Sequence, residues 1–225
     1  MPSDALDPEV EAGQAVYRPW TLALYDLAVY RVTCPYFWRV PVAHLLSLYE
    51  RNLAPNHLDL GVGTGYLLDR CQKPGNDQRI TLADLNPYSL DYTMSRLARY
   101  KPTLQRVNAL EPLPFEPDTF GSAAATMLLH CLPGAIPEKA GHVLDHLAAC
   151  VKPGGHVFGS TILTVDVPVT LQARAALALF NGRGFFHNQR DSLADLRSVL
   201  AARFPLFGLR VYGCAAVFEA EVPAR

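Results

Sequence analysis

The chain has 225 residues, half of them apolar and 18% charged, and its 20 Lys and Arg against 21 Asp and Glu leave a formal charge of −1. That length and apolar share suffice to bury the core of one α/β domain unaided. Without a Lys/Arg run there is no counterion-releasing patch, which argues against RNA or DNA as substrate. The five cysteines, Cys34, Cys71, Cys131, Cys150 and Cys214, are scattered and never form a Cys-x-x-Cys pair, as expected for reduced thiols of a cytoplasmic protein. The first residues lack the basic and apolar regions of a signal peptide, and no stretch is long enough to span a membrane.

Residues 1–15, with Pro2, Pro8, Gly13 and four acids, have no periodicity and read as a flexible tail before a single domain over 16–225. Tyr17, Trp20, Tyr25, Tyr30 and Tyr36 recur through an apolar stretch that predicts one helix broken by Pro19 and Pro35. Pro41 suits a first helical position, and Val42, Leu45, Leu46, Leu48 and Tyr49 continue an amphipathic helix that closes a helical cap over 16–53.

Leu58-Asp59-Leu60 then reads as the end of a buried strand. Gly61, Gly63 and Gly65 allow a sharp turn that a ligand can approach closely, and Tyr66-Leu67-Leu68 begins a helix. A nucleotide-like ligand fits there. Ile80-Thr81-Leu82-Ala83-Asp84 forms a second strand ending in a carboxylate, placed either to accept both ribose hydroxyls of that ligand or simply to be solvated.

Asn86-Pro87 caps a helix carrying Leu90, Met94, Leu97 and Ala98. Residues 104–109 make a third strand, and 119–129 a fourth whose apolar run suits burial on both faces. A helix over Val143, Leu144, Leu147 and Val151 stops at Lys152-Pro153-Gly154-Gly155, and 156–163 follow as a fifth strand. Helices near 170–180 and 191–204 bracket residues 181–188, whose glycines, aromatics and polar groups suit a mobile lid within a 164–203 segment over the substrate site. Residues 206–212 and 214–221, joined near Gly213, must pair antiparallel. The expected fold is α/β: a doubly wound, mostly parallel seven-stranded sheet with an antiparallel C-terminal hairpin and an N-terminal helical cap.

Taken together, Leu58-Asp59-Leu60-Gly61-Val62-Gly63-Thr64-Gly65, Asp84, Leu113-Pro114-Phe115, Leu128-Leu129-His130 and Lys152-Pro153-Gly154-Gly155 resemble the successive motifs of class I S-adenosylmethionine-dependent methyltransferases. The match runs from about residue 17 to the C-terminus and has the spacing of small-molecule members, including those of quinone biosynthesis and natural-product pathways. The resemblance implies a Rossmann-like methyltransferase fold. It also implies S-adenosyl-L-methionine as cofactor and S-adenosyl-L-homocysteine as product. Gly61, Gly63 and Gly65 would leave room for the methionine part, Asp59 would orient its amino group, Asp84 would take the ribose hydroxyls, Asn108 and Ala109 would lie beside adenine, and Val62, Leu85, Asn86 and Leu110 would also bind the cofactor. Tyr25, paired with Asp26, would fold over the cofactor. Two positions depart from the family: Gly121 follows Phe120 where Asp is usual, and Asn108 stands where many members have an adenine-binding Asp.

The same resemblance implies a monomer or homodimer acting on a small molecule. His130, at the end of the fourth strand, is placed by topology to serve as catalytic base, or else packs against the Pro133 loop. Tyr25, Tyr30, Phe37, Trp38, Phe185 and Phe186 offer apolar wall, and Asn181, Arg183, His187 and Asn188 offer polar groups, for a lipophilic or aromatic acceptor. The fold alone leaves open a cyclase or a non-catalytic cofactor-binding protein. A dinucleotide oxidoreductase fits less well because Tyr66 stands where its fingerprint needs a third glycine. His142 and His146 have helical metal spacing but lack the Glu of a zincin, and no serine has a nucleophile-elbow context.

Overall fold

The computed structural model describes residues 26–72 and 77–224. Seven strands form one sheet in the order β3-β2-β1-β4-β5-β7-β6: β1 (Asn56–Leu60), β2 (Arg79–Asp84), β3 (Thr103–Arg106), β4 (Phe120–Thr126), β5 (Val151–Ile162), β6 (Phe207–Tyr212) and β7 (Ala215–Glu221). The first five are parallel, and β7 runs antiparallel to both β5 and β6. This is the predicted arrangement. Chain order reverses between β1 and β4, which opens a crevice at their carboxyl ends.

Every residue of β4, Phe-Gly-Ser-Ala-Ala-Ala-Thr, is buried. Its alternation divides the interior in two: Ala123 and Ala125 face a core with Leu144, Leu147, Leu200 and Phe204, while Ala124 faces one with Leu45, Leu48, Leu67 and Leu177. Helices α4 (Ile136–Cys150) and α6 (Leu193–Arg203) supply the first layer; α1 (Val42–Asn52), α2 (Tyr66–Arg70) and α5 (Leu171–Gly182) supply the second. Helix α3 (Pro87–Arg96) packs on β2, its N-cap Asn86 Oδ1 accepting from Tyr88 N at 2.9 Å as its sequence predicts. Gly121 has a packing reason. A Cβ there would lie 2.8 Å from that of Ala54, so the Asp usual in the family would not fit this backbone.

Several boundaries differ from the expectation. The cap is a π-helical segment, Leu27–Trp38, that takes Pro35 inside it; its wider turn moves the ring away from the carbonyl that an α-helix would set against it. Pro41 is the N-cap of α1 and not its first residue. Strand β3 stops at Arg106, with Val107 N still donating to Asp84 O at 3.1 Å as the last rung before the turn. Strand β4 stops at Thr126, where Met127 adopts φ 57°. Strand β5 starts early, at Val151, and its Pro153-Gly154-Gly155 excursion is a bulge opposite Gly121.

Candidate functional site

Between β1 and α2 the chain turns on Gly61, Gly63 and Gly65, at φ 75°, 54° and 68°. The three do different work. A Cβ on Gly61 would lie 2.7 Å from Leu128 Cδ1, and one on Gly65 2.5 Å from Thr93 Cγ2, so both let neighbours pack close. Nothing lies within 4 Å of a Cβ on Gly63. The open space of the turn is therefore at Gly63, where a side chain would fill the room a ligand needs.

Two acids flank that space. Asp59, next to last in β1, is 4% exposed, and burial pushes its carboxyl up to about 8, although Tyr49 of α1 donates its hydroxyl to Oδ1 at 3.1 Å. Among the described residues no basic side chain pairs with it. Thr126 Oγ1, beside Tyr49, is buried without a well-formed hydrogen bond and lines the same cavity. Asp84, at the tip of β2, is raised to about 6 by burial against the opposing pull of the Asn86, Gly63, Val62 and Leu85 backbone N–H groups. Its Oδ1 accepts from Asn86 N at 2.9 Å. The carboxylate thus braces the glycine turn from the neighbouring strand.

The cap closes over this turn. Asp26 accepts from Thr64 Oγ1 and pairs with Arg96 Nη2, each at 2.5 Å, while Arg96 Nη1 donates to Thr64 O at 2.8 Å. Tyr30 stacks on Tyr66 with ring centroids 4.3 Å apart. Beneath them lies a cavity of about 30 Å³ lined by Tyr30, Asp59, Gly61, Gly63, Thr126 and Met127. That holds about two waters, so the cap has to give way before a larger group can enter.

His130 lies in the 3₁₀ turn Leu129–Cys131 that follows β4, 3% exposed. Its Nδ1 accepts from Ile162 N at 3.3 Å, its carbonyl accepts from His187 N at 2.8 Å, and the Phe186 ring meets it edge-on at 4.3 Å. Burial first, then the Lys139 charge, holds its ionisation down at about 3. Lys139 itself is buried, donating to Leu132 O at 3.1 Å and His187 O at 2.8 Å and pairing with Asp191 at 2.9 Å. A second cavity, of about 530 Å³, borders this turn and is lined by Gly134, Ala135, Phe186, His187, Gln189 and Arg190 among others.

The structure brings Asp59, Gly61, Val62, Gly63, Gly65 and Asp84 together around the glycine turn. Asn108 and Ala109, expected within β3, lie with Leu110 in the turn after it. There Asn108 Oδ1 already accepts from Leu110 N at 3.1 Å and its amide donates to Glu111 at 3.1 Å. Asn86 spends its side chain on α3, and Leu85 O accepts from Arg106 Nε at 3.0 Å. Tyr25 lies outside the described residues. The segment read as a mobile lid is fastened: Asn188 is fully buried, exchanges bonds with Asn181 and donates to Ile162 O at 3.0 Å, and His187 Nε2 meets Gly184 O at 3.1 Å. Of its proposed acceptor groups, Asn188 is structural and Arg183 is exposed. Sequence reasoning missed Tyr49 and Thr126 as site residues, since each occupies an apolar-pattern position that predicts only core. It also missed the Lys139–Asp191 pair, although a Lys on the core stripe of α4 was a visible signal.

This arrangement fits S-adenosylmethionine. A buried carboxyl lacking a cation suits its ammonium, the Gly63 cradle its methionine chain, and the β2-tip acid its ribose. The family model described as a methyltransferase domain matches residues 58–157. The demethylluteothin O-methyltransferase of Streptomyces thioluteus is 47% identical over 96% of this chain and 93% of its own. A physcion biosynthesis cluster O-methyltransferase of Aspergillus chevalieri is 34% identical over 95% and 96%. Among solved structures, a phosphoethanolamine N-methyltransferase 2 of Haemonchus contortus in complex with S-adenosyl-L-methionine superposes with TM-score 0.72 at 11% identity, covering this whole chain and 62% of that one, a likeness of fold. With both enzyme relatives matched nearly end to end, the chain belongs to the class I S-adenosylmethionine-dependent methyltransferases that methylate small molecules.

Proposed function

We propose that this enzyme methylates a hydroxyl oxygen on a lipophilic aromatic or conjugated small molecule of a natural-product pathway. The observation that carries the reading is the cavity of about 530 Å³ beside the His130 turn, the size of a small-ligand site, with Phe186 on its apolar side and His187, Gln189 and Arg190 on its polar side. Oxygen as the methylated atom is supported by the names of the two enzyme relatives, both O-methyltransferases.

In this reading Asp59 and Thr126 hold the cofactor's ammonium, Asp84 its ribose hydroxyls, and residues 108–110 its adenine, while Val62, Leu85 and Asn86 contribute backbone. The bound cofactor supplies a methyl group already activated on a sulfonium. What remains for the chain is to orient the acceptor in line and to exclude water. Trp38, Phe180 and Phe186, with ring centroids 5.1 to 6.2 Å apart, form an aromatic wall that does the second. Incubating the protein with methyl-labelled cofactor and a metabolite extract, followed by mass spectrometry, tests the reading. Label is expected on a small-molecule oxygen; label only in protein or nucleic acid overturns it.

A further inference from the structure

His130 stands in for a strand. Strand β4 leaves the ladder after Thr126, while β5 runs on to Ile162. Met127 N still donates to Ser160 O at 2.8 Å, so even-numbered residues here present their backbone groups to the β4 side. Odd-numbered ones face β7, as Leu163 N to Cys214 O at 2.8 Å shows. Ile162 is therefore where β5 runs out of β4 partners. Two side chains replace the missing strand: His130 Nδ1 accepts from Ile162 N, and Asn188 Nδ2 donates to Ile162 O.

This bond fixes the ring's proton. A backbone N–H can only donate, so Nδ1 presents a lone pair to it, to which the Thr161 hydroxyl 3.5 Å away can also donate, and the one proton of the neutral imidazole sits on Nε2. A second proton would set N–H against N–H. It would also add charge in a buried site already facing the Lys139 ammonium, whose partner Asp191 is engaged with it. Among the described residues no carboxylate hydrogen-bonds the ring to favour its charged form. Nε2, on the side of the ring away from β5, has no hydrogen-bond partner among them. The turn that carries it follows Met127, which lines the cofactor cavity, and the ring itself meets Phe186, which lines the larger one.

We propose that His130 acts as a fixed hydrogen-bond donor, Nε2–H to the acceptor oxygen, in place of the base its position suggests, so that the enzyme selects acceptors acidic enough to dock already ionised. Such acceptors are vinylogous acids and electron-poor phenols, as against alcohols and simple phenols. This inference rests on the O-methyl-transfer reading. The acceptor loses its proton to solvent before docking. Its oxygen lone pair then forms the O–C bond as the S–C bond breaks, and that electron pair returns to sulfur, leaving a neutral thioether. No proton passes through the protein.

Two measurements on the full chain test this. Long-range ¹H–¹⁵N NMR of histidine-labelled protein saturated with S-adenosylhomocysteine, assigned by comparison with His130→Gln, is read from about pH 5.5 to 8.5, the range in which an ordinary histidine titrates. A protonated Nε2 and bare Nδ1 throughout is expected; the opposite tautomer, or a titration within the range, overturns the proposal. Methyl transfer is then measured with 4-nitrophenol and 4-hydroxycoumarin against phenol. Gln can both accept from Ile162 N and donate to an oxyanion. His130→Gln should therefore keep turnover within about tenfold, while His130→Phe loses about 10²–10³-fold at unchanged S-adenosylhomocysteine affinity. Phenol turned over as fast as the acidic acceptors, with a pH-dependent step that His130→Gln abolishes, overturns the proposal. Failure to label any acceptor or extract component, with the tautomer as expected, sinks the methyl-transfer reading and the acceptor class with it, leaving the proton assignment standing.

Discussion

The Tyr49 hydroxyl donates to Asp59 Oδ1 at 3.1 Å, among the described residues the one hydrogen bond that favours ionisation of a carboxyl which burial pushes up to about 8. In the proposed placement the cofactor's ammonium requires that carboxyl ionised. Below pH 8 binding must therefore expel a proton, and S-adenosylhomocysteine affinity should rise with pH between about 6 and 8, at most tenfold per unit. Calorimetry in buffers of different ionisation enthalpy should detect the proton released near neutrality. Asp59→Asn should abolish both the slope and the release, and Tyr49→Phe should weaken binding by about tenfold, the worth of a hydrogen bond to a charged group.

The same shift has the opposite sign for stability. A carboxyl whose folded value lies above its ordinary 3.8 favours the fold only when protonated, a contribution complete below 3.8 and lost as pH rises toward 8. Asp59→Asn should then stabilise the free protein at neutral pH by about 1–3 kcal/mol, the cost of a poorly compensated buried polar group. Thermal melts at pH 7 and pH 4 check this, with the gain expected at the higher pH only.

Gly61 and Gly63 should fail differently. Gly63→Ala meets open space, so its cost to the fold is about 1–2 kcal/mol of left-handed backbone while cofactor binding is lost. Gly61→Ala drives a methyl into Leu128 and should lower the melting temperature more. Melting curves with and without S-adenosylhomocysteine separate the two.

The Asp26–Arg96–Thr64 cluster is a half-buried fastening of the cap, worth about 1 kcal/mol or less as an ion pair. Asp26→Ala should leave the melting temperature nearly unchanged but speed cofactor release several-fold in stopped-flow, because the glycine turn loses its cover.

Lys139 is the opposite case. Lys139→Met strands Asp191 in the interior and should cost about 3–5 kcal/mol, while Lys139→Met with Asp191→Leu recovers most of it. Denaturant titration of the double-mutant cycle reads the coupling directly.

Much of this was legible in the sequence because periodicity and turn chemistry are local. The Gly61-x-Gly63-x-Gly65 turn, the Asn86-Pro87 cap and the Gly213 hairpin carry their own geometry. Strand ends were less legible, since β4 stops where Met127 turns left-handed and no residue-level signal marks it. Hardest were roles created by tertiary contact. Tyr49 reads as one apolar helical position among five, and only the fold brings its hydroxyl to Asp59. Residues 181–188 read as mobile by their glycines, yet Asn188 and Asp191 tie the segment down by bonds to Ile162 and Lys139, neither of which is near in sequence.

The account turns on where the cofactor's amino-acid end lies, and a crystal structure of the chain with S-adenosylhomocysteine shows that directly. We predict its ammonium against Asp59 and Thr126 Oγ1, its chain over Gly63 and its ribose hydroxyls on Asp84, with the Tyr30 and Tyr66 rings parted to admit it. An ammonium paired elsewhere, with the Tyr49–Asp59 bond and the Tyr30–Tyr66 stack unaltered, would contradict it.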